Sequence, residues 1–417
     1  MSSRIAKKRG EWINRDKPLT FEYEGQKVQG YEGDTISSAL WANGVKVLGR
    51  SFKYHRARGL LSFANHDVNA LMTDGEDTNI RADVWPVSNG MKLEAVNTDG
   101  GVIKDKNKYI DYLSPFLPVG FYYKTFYKPK RLFPFWEDKI RKAAGLGKVN
   151  FNYPRITKPK RHAHCDVLII GAGPSGLSAA LEAAEQGMSV ILVDENRQIG
   201  GSMTYDLAGD PTATDSLSTL LAAVESQANI RVISDAYAGG YYGDNLVPVV
   251  EKSGITKVRA QTVIVAAGVF EQPPVFRYND LPGVMLGSAA QRLVHRYAVK
   301  PFNKGVVVTA NDHGYRTALD LASVGVEVVA VIDMRRDGAA QDLTQKVKDK
   351  GIAVHKGSCI YEAVAAGDKL GVKEVVVCPY DETTAEADTS QSVRLSCDGV
   401  AMSAGWAPAA ALLYQAG

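Results

Sequence analysis

The stretch GAGPSG, Gly171 to Gly176, constrains this chain more than any other. It follows CDVLII, an apolar run of strand length, and it opens LSAALEAAEQG, a helical pattern ended by Gly187. SVILVD then reads as a second strand, so residues 165–194 form one βαβ unit. Each glycine has its own reason. Gly171 permits the tight turn, Gly173 lets bare backbone approach a pyrophosphate, and Gly176 lets helix and strand pack closely. The helix that begins at Pro174 and Ser175 points its free N–H groups at the phosphates. Asp194 lies 18 residues beyond Gly176 and, with Glu195 beside it, can accept hydrogen bonds from a ribose.

Composition narrows the setting. A chain of 417 residues holds two or three domains. A net charge of +3, with no basic stripe interleaved with aromatics, gives no case for a nucleic-acid partner. Cys165, Cys359, Cys378 and Cys397 show neither metal-ligand spacing nor a disulfide framework. No metal site is expected. No apolar core follows the basic N-terminus, and no apolar run is long enough to span a bilayer. The expectation is a cytoplasmic protein with no membrane partner.

The chain divides by pattern. Residues 1–17 form an arm. Residues 18–100 read as a small β-grasp domain: LTFEYEGQKVQGYEG alternates around a turn at Glu24-Gly25, and a short helix follows, capped by Asp34 or Thr35 and closed by Gly44. Residues 101–164, aromatic, basic and Pro-containing, read as a connector on the surface. Residues 165–300 are the first dinucleotide-binding domain, 301–335 a second βαβ unit, and 336–417 the remainder of an apparently truncated pair. The fold class is therefore α/β, with Rossmann-like FAD/NAD(P)-binding domains in tandem behind the β-grasp domain.

The second unit, KGVVVTANDHGYRTALDLASVGVEVVAVID, repeats the layout of the first and ends on Asp333. Thr309 and Asn311 stand where the first two glycines belong. A Cβ at Asn311 points where a pyrophosphate presses on backbone. This unit is expected to fold and to stay empty.

Asp194 is followed by Gly200, Gly201 and Ser202. This acid-x5-GG arrangement, with the later AAG of TVIVAAGVF (Ala266, Ala267, Gly268), resembles the two-dinucleotide flavoprotein superfamily. Ala238 joins the candidate cofactor contacts. The redox dithiol of such reductases is excluded, because no CxxC or CxxxxC follows Gly201. More specifically, GRSFKYHRARG, GFYYKTFYKP, AAGLG and HAHCDVLIIGAGPSGL resemble the α subunits of heterotetrameric sarcosine oxidases. Related chains serve amino-acid, opine and proline dehydrogenases and hydrogen cyanide synthase. The resemblance implies NAD in this chain, with FAD as the alternative occupant. It implies FAD and FMN in the complex with a flavin-bearing β subunit, small further subunits, and oxidative demethylation of the amine sarcosine to glycine on the partner.

In relatives that keep an iron–sulfur cluster, its four cysteines align here with Ser62, Asp67, Ala70 and Asp83, so the β-grasp domain is expected to be ferredoxin-like and cluster-free. His66 lies within this loop and reads as a hydrogen-bonded loop residue; His295 and His313 are reactive candidates by residue type alone, and no catalytic residue is assigned. The related α subunits continue into a folate-binding domain that these residues do not contain. The alternatives are a related amino-acid, opine or proline dehydrogenase subunit, or a free-standing FAD-dependent NAD(P)H oxidoreductase.

Overall fold

The computed structural model describes residues 3–417 apart from 68, 119, 121–125, 146–148, 155–156, 209–211 and 368. Part of GFYYKTFYKP and of AAGLG therefore lies outside the described residues. The chain forms two compact units: one of Met1–Lys7, Ile13–Tyr153 and Pro274–Ser403, the other of Lys8–Trp12, Pro154–Pro273 and Ala404–Gly417.

The first unit begins with the β-grasp domain. Strands Asn14–Tyr23 and Gln26–Glu32 form a hairpin whose turn residues, Glu24 and Gly25, both take positive φ, +50° and +76°. That is the turn whose twist matches a hairpin. Thr35 caps the buried helix Ile36–Ala42 in a reciprocal box with Ser38. Strand Lys92–Ala95 then returns parallel to the first strand. The domain begins four residues earlier than the expected 18, because the polar NRDK segment still belongs to the strand.

The connector is not a bare linker. It holds a 3-10 stretch, Lys106–Phe116, and a helix, Phe133–Ala144. SFKYHRARG pins it. The buried His55 ring bonds Asp105 through Nδ1 and the Ala143 carbonyl through Nε2, each at 2.6 Å, and Arg56 Nε donates to Asp111 at 2.6 Å. Burial alone would raise the Asp105 carboxyl; hydrogen bonds from His55 and from the amides of Asp99 and Asn107 hold it below the usual range.

The same unit contains a five-stranded parallel sheet in the order Val284–Leu286, Gly399–Ser403, Lys304–Thr309, Glu327–Asp333, Ala353–Lys356. The expected boundary at 300 is therefore corrected to 273. Residues 274–300 supply a strand and the buried helix Gly287–Tyr297 to this sheet, and an apolar run does not reveal which sheet it joins. Residues 358–396 form an antiparallel sheet.

The second unit is a six-stranded sheet: Ile230–Ile233, Val190–Val193, Lys160–Ile170 and Gly254–Val265 run parallel, followed by Leu246–Glu251 and Tyr237–Ala238, antiparallel. The strand before the glycine turn starts at Lys160 instead of Cys165, because its polar half pairs with Ile255–Arg259. Gly405–Pro408, which sequence left in the undivided remainder 336–417, pairs with Val269–Gln272 in this unit. Among the described residues no helix is long and apolar enough to cross a membrane.

Candidate functional site

The glycine turn sits at the C-terminal end of a central strand, at the ligand-binding edge of such sheets. Gly171 has φ +103°, and a Cβ there would lie 2.2 Å from the Ala266 carbonyl. A Cβ on Gly176 would lie 1.8 Å from the Gly171 carbonyl. Both positions accept only glycine, for the reasons expected from sequence. Gly173 differs. It begins helix Pro174–Glu185 with an ordinary φ of −78°, and its missing Cβ would meet only the Cα of Gly201, at 3.7 Å. Fold does not require a glycine there.

Gly200 and Gly201 close over the turn. Gly200 donates to the Ala172 carbonyl at 2.8 Å. Gly201 has φ +55°, and a Cβ on it would strike the Gly173 Cα at 2.7 Å. Two bare backbones thus face each other. Ser175 and Ser202 are exposed, and Pro174 is half-buried. Helix Pro174–Glu185 has no side-chain cap at its N-terminus, so its first N–H groups stay available to an anion. Ala266 and Ala267 lie against the turn, and Gly268, φ +73°, accepts from Ala409 N–H at 3.0 Å.

The acid differs from expectation. Asp194 is buried, and both carboxylate oxygens are engaged. Oδ2 accepts from Ala172 N–H at 2.7 Å, and Oδ1 accepts from the amide and side chain of Asn196 at 2.8 and 2.9 Å. It holds the glycine turn in place instead of presenting an acceptor to a ribose. Glu195, next in the chain, is exposed. Ala238 is half-buried on the outermost strand, paired with Val249. The alanine that reaches the acid is Ala236, whose N–H donates to the Asp194 carbonyl at 3.1 Å. Sequence reasoning missed it, since only the fold brings residue 236 to residue 194.

The second turn is built from the same parts and closed by its own side chains. Asn311 Oδ1 accepts from His313 N–H at 3.0 Å, at the place where the first turn leaves its helix uncapped. Thr309 Oγ1 donates across the turn, and a Cβ on Gly314 would lie 2.3 Å from Thr309. Asp333 is fully buried. It receives Tyr315 OH at 2.9 Å and three N–H groups of Arg335, which also reaches Asp312. Burial and then Asp333 push the Tyr315 phenol up to about 12. His313 packs on Ser403 at 3.0 Å, and His295 on the buried Asp320 at 3.0 Å. Neither lies at the first turn.

The positions aligned with cluster cysteines are buried in the β-grasp domain. Asp67 Oδ2 accepts from the amides of Leu61 and Ser62 at 2.7 and 3.0 Å, and Asp83 Oδ2 accepts from Asp67 N–H at 2.9 Å. Ser62 Oγ and Asp83 Oδ1 have no partner among the described residues.

Comparison with known proteins matches residues 165–417 to the pyridine nucleotide-disulphide oxidoreductase family and residues 16–98 to a 2Fe-2S iron-sulfur cluster binding domain. The sarcosine oxidase α subunit of Rhizobium meliloti (strain 1021) is 38% identical over 392 residues, 89% of this chain and 38% of that protein. That of Corynebacterium sp. (strain U-96) is 29% identical over 430 residues, 97% of this chain and 39% of that protein. This chain thus spans about two fifths of the length of these relatives. The crystal structure of L-proline dehydrogenase from P. horikoshii superposes with a TM-score of 0.62 at 21% identity, covering 100% of this chain and 65% of that one.

Proposed function

We propose that this chain, which belongs to the pyridine nucleotide-disulphide oxidoreductase family, is the nucleotide-binding portion of the α subunit of a flavin-dependent sarcosine oxidase. The observation that carries the reading is the uncapped helix behind Gly171, Gly173 and Gly176, with Gly200 and Gly201 folded back onto it. Gly173 and Ser175 would hold the pyrophosphate of one dinucleotide, NAD with FAD as the alternative. Gly201 and Ser202 would flank it, and Glu195 would accept from the ribose in place of Asp194. Bound NAD supplies hydride chemistry in principle. Here its role is structural or regulatory, since among the described residues no substrate-handling acid or base stands at the turn.

Amine oxidation belongs to the partner. A flavin-bearing β subunit would supply the two-electron oxidation of sarcosine at its C–N bond, with FAD and FMN as the carriers, while this chain would contribute the dinucleotide held at Gly173, Ser175 and Gly201. The iron–sulfur cluster named for the matched N-terminal domain does not fit these residues. A [2Fe–2S] centre takes four soft ligands, and residues 16–98 contain no cysteine. Asp67 and Asp83 instead spend their carboxylates on the loop's own amides. The domain is proposed to be cluster-free and architectural.

Native purification with sarcosine-dependent oxygen uptake tests the reading. Co-purification of flavin-bearing subunits with turnover of sarcosine is expected. A chain that purifies alone, is yellow, and is bleached by NADH would instead make it a free-standing FAD-dependent NAD(P)H oxidoreductase. The blocked turn at Asn311 and Arg335 argues against that alternative.

A further inference from the structure

All four cysteines are free thiols, and two of them meet. Strands Ser358–Ala365 and Val372–Asp381 pair antiparallel with Cys359 directly opposite Cys378. Opposed residues project to the same face of the sheet. Tyr380 N–H donates to the Gly357 carbonyl at 2.8 Å, and hydrogen-bonded rungs alternate. The cysteine rung, two further on, is therefore hydrogen-bonded, with a Cα separation of about 5.5 Å. A disulfide spans Cα atoms roughly 4.4–6.8 Å apart, most often near this value.

The ladder is irregular on one side of the pair, where the register slips at Tyr361, just past Ile360. On the other side the Ser358–Pro379 rung is the non-hydrogen-bonded one, and the Pro379 carbonyl turns away to accept from Asp388 N–H at 2.9 Å. The slip gives the two Cβ atoms slack to approach. Cys359 also lines a cleft of about 390 Å³ together with Arg277, Met334, Tyr361 and Tyr380. Cys378 is fully buried behind it. An oxidant arriving through the cleft meets Cys359 first and finds a second sulfur at its back.

We propose that Cys359 and Cys378 are a redox modification site, closing to a cross-strand disulfide on exposure to hydrogen peroxide. The Cys359 thiolate attacks one peroxide oxygen. An S–O bond forms, the O–O bond breaks, and hydroxide leaves as water after taking a proton. The Cys378 sulfur then attacks the resulting sulfenic acid. The S–S bond forms, the S–O bond breaks, and a second water departs. Two thiols lose two electrons and two protons, and one peroxide becomes two waters. Burial, then the neighbouring Cys378, pushes the Cys359 thiol up to about 11. The thiolate is therefore scarce at neutral pH and the site closes slowly. The inference rests on this chain alone, whatever the proposed oxidase activity proves to be.

The test is made on the purified full chain in mildly alkaline buffer with added peroxide, followed by alkylation in denaturant and peptide mapping. The expected result is a linked pair of peptides carrying Cys359 and Cys378, released by dithiothreitol, with Cys165 and Cys397 alkylated. Free thiols fall from four to two. In Cys378→Ser the sulfenic acid has nothing to resolve it, and Cys359 proceeds to sulfinic acid. Recovery of Cys359 and Cys378 both alkylated after treatment would overturn the proposal. So would Cys359 joined to a different cysteine, or Cys359 as sulfinic acid in the unsubstituted chain.

Discussion

Replacing Asp83 with asparagine is expected to stabilise the protein, and the structure gives the size of the effect. Asp83 is 3% exposed, and its Oδ1 has no partner among the described residues. Burial first, and then the charge of Asp67, raises its carboxyl from the ordinary 3.8 to about 6, against a lowering by the Asp67 N–H. A pKa unit is worth about 1.4 kcal/mol, so holding the charge costs the folded state about 3 kcal/mol at neutral pH. The folded value lies above the unfolded one. The favourable contribution is thus complete below pH 3.8 and is lost as pH rises through about 6. Asparagine keeps an oxygen for Asp67 N–H but leaves a buried amide to accommodate. The net gain is therefore about 1–3 kcal/mol near pH 8, shrinking toward zero near pH 4. Urea unfolding of both proteins across that range measures the difference. A variant less stable than the wild type at pH 8, or a difference that ignores pH, would refute the reasoning.

Gly173→Ala should leave the fold intact, since its Cβ meets ordinary contact at 3.7 Å, yet lose dinucleotide in a retention assay; Gly176→Ala, at 1.8 Å, should lose folded protein instead. Asp194→Ala should destabilise its unit by about 1–3 kcal/mol, because Ala172 N–H loses a buried acceptor. Glu195→Ala should weaken nucleotide retention, as read by equilibrium dialysis. Protein expressed in iron-rich medium should carry no stoichiometric iron or acid-labile sulfide; finding both would mean that the loop held by Asp67 and Asp83 rearranges around a cluster.

The local features were legible because they depend on residue type and spacing. Gly171 and Gly176 have one purpose each, and the hairpin at Glu24-Gly25 and the cap at Thr35 are local chemistry. What escaped is set by distance along the chain. Strand Val284–Leu286 joins the five-stranded parallel sheet and Gly405–Pro408 pairs with Val269–Gln272, and neither choice is written in an apolar run. The role of Asp194 could not be read either. Asp194 and Glu195 both suit a ribose, and only the strand's end shows which carboxylate turns inward to Ala172. The opposition of Cys359 and Cys378 is likewise a matter of register, invisible to a search for CxxC. Asn311 was suspect for its Cβ; the structure adds that its side chain caps the helix a phosphate would use.

The central claim is one dinucleotide per chain, held at Gly171–Gly176. Denaturing the natively purified protein and quantifying the released nucleotide by chromatography and mass spectrometry tests it most directly. The prediction is one equivalent of NAD from the wild type, none from Gly173→Ala, and one still from a chain carrying Asn311→Asp. Two equivalents from the wild type, or one equivalent that survives Gly173→Ala but is lost on altering Asn311, would contradict it.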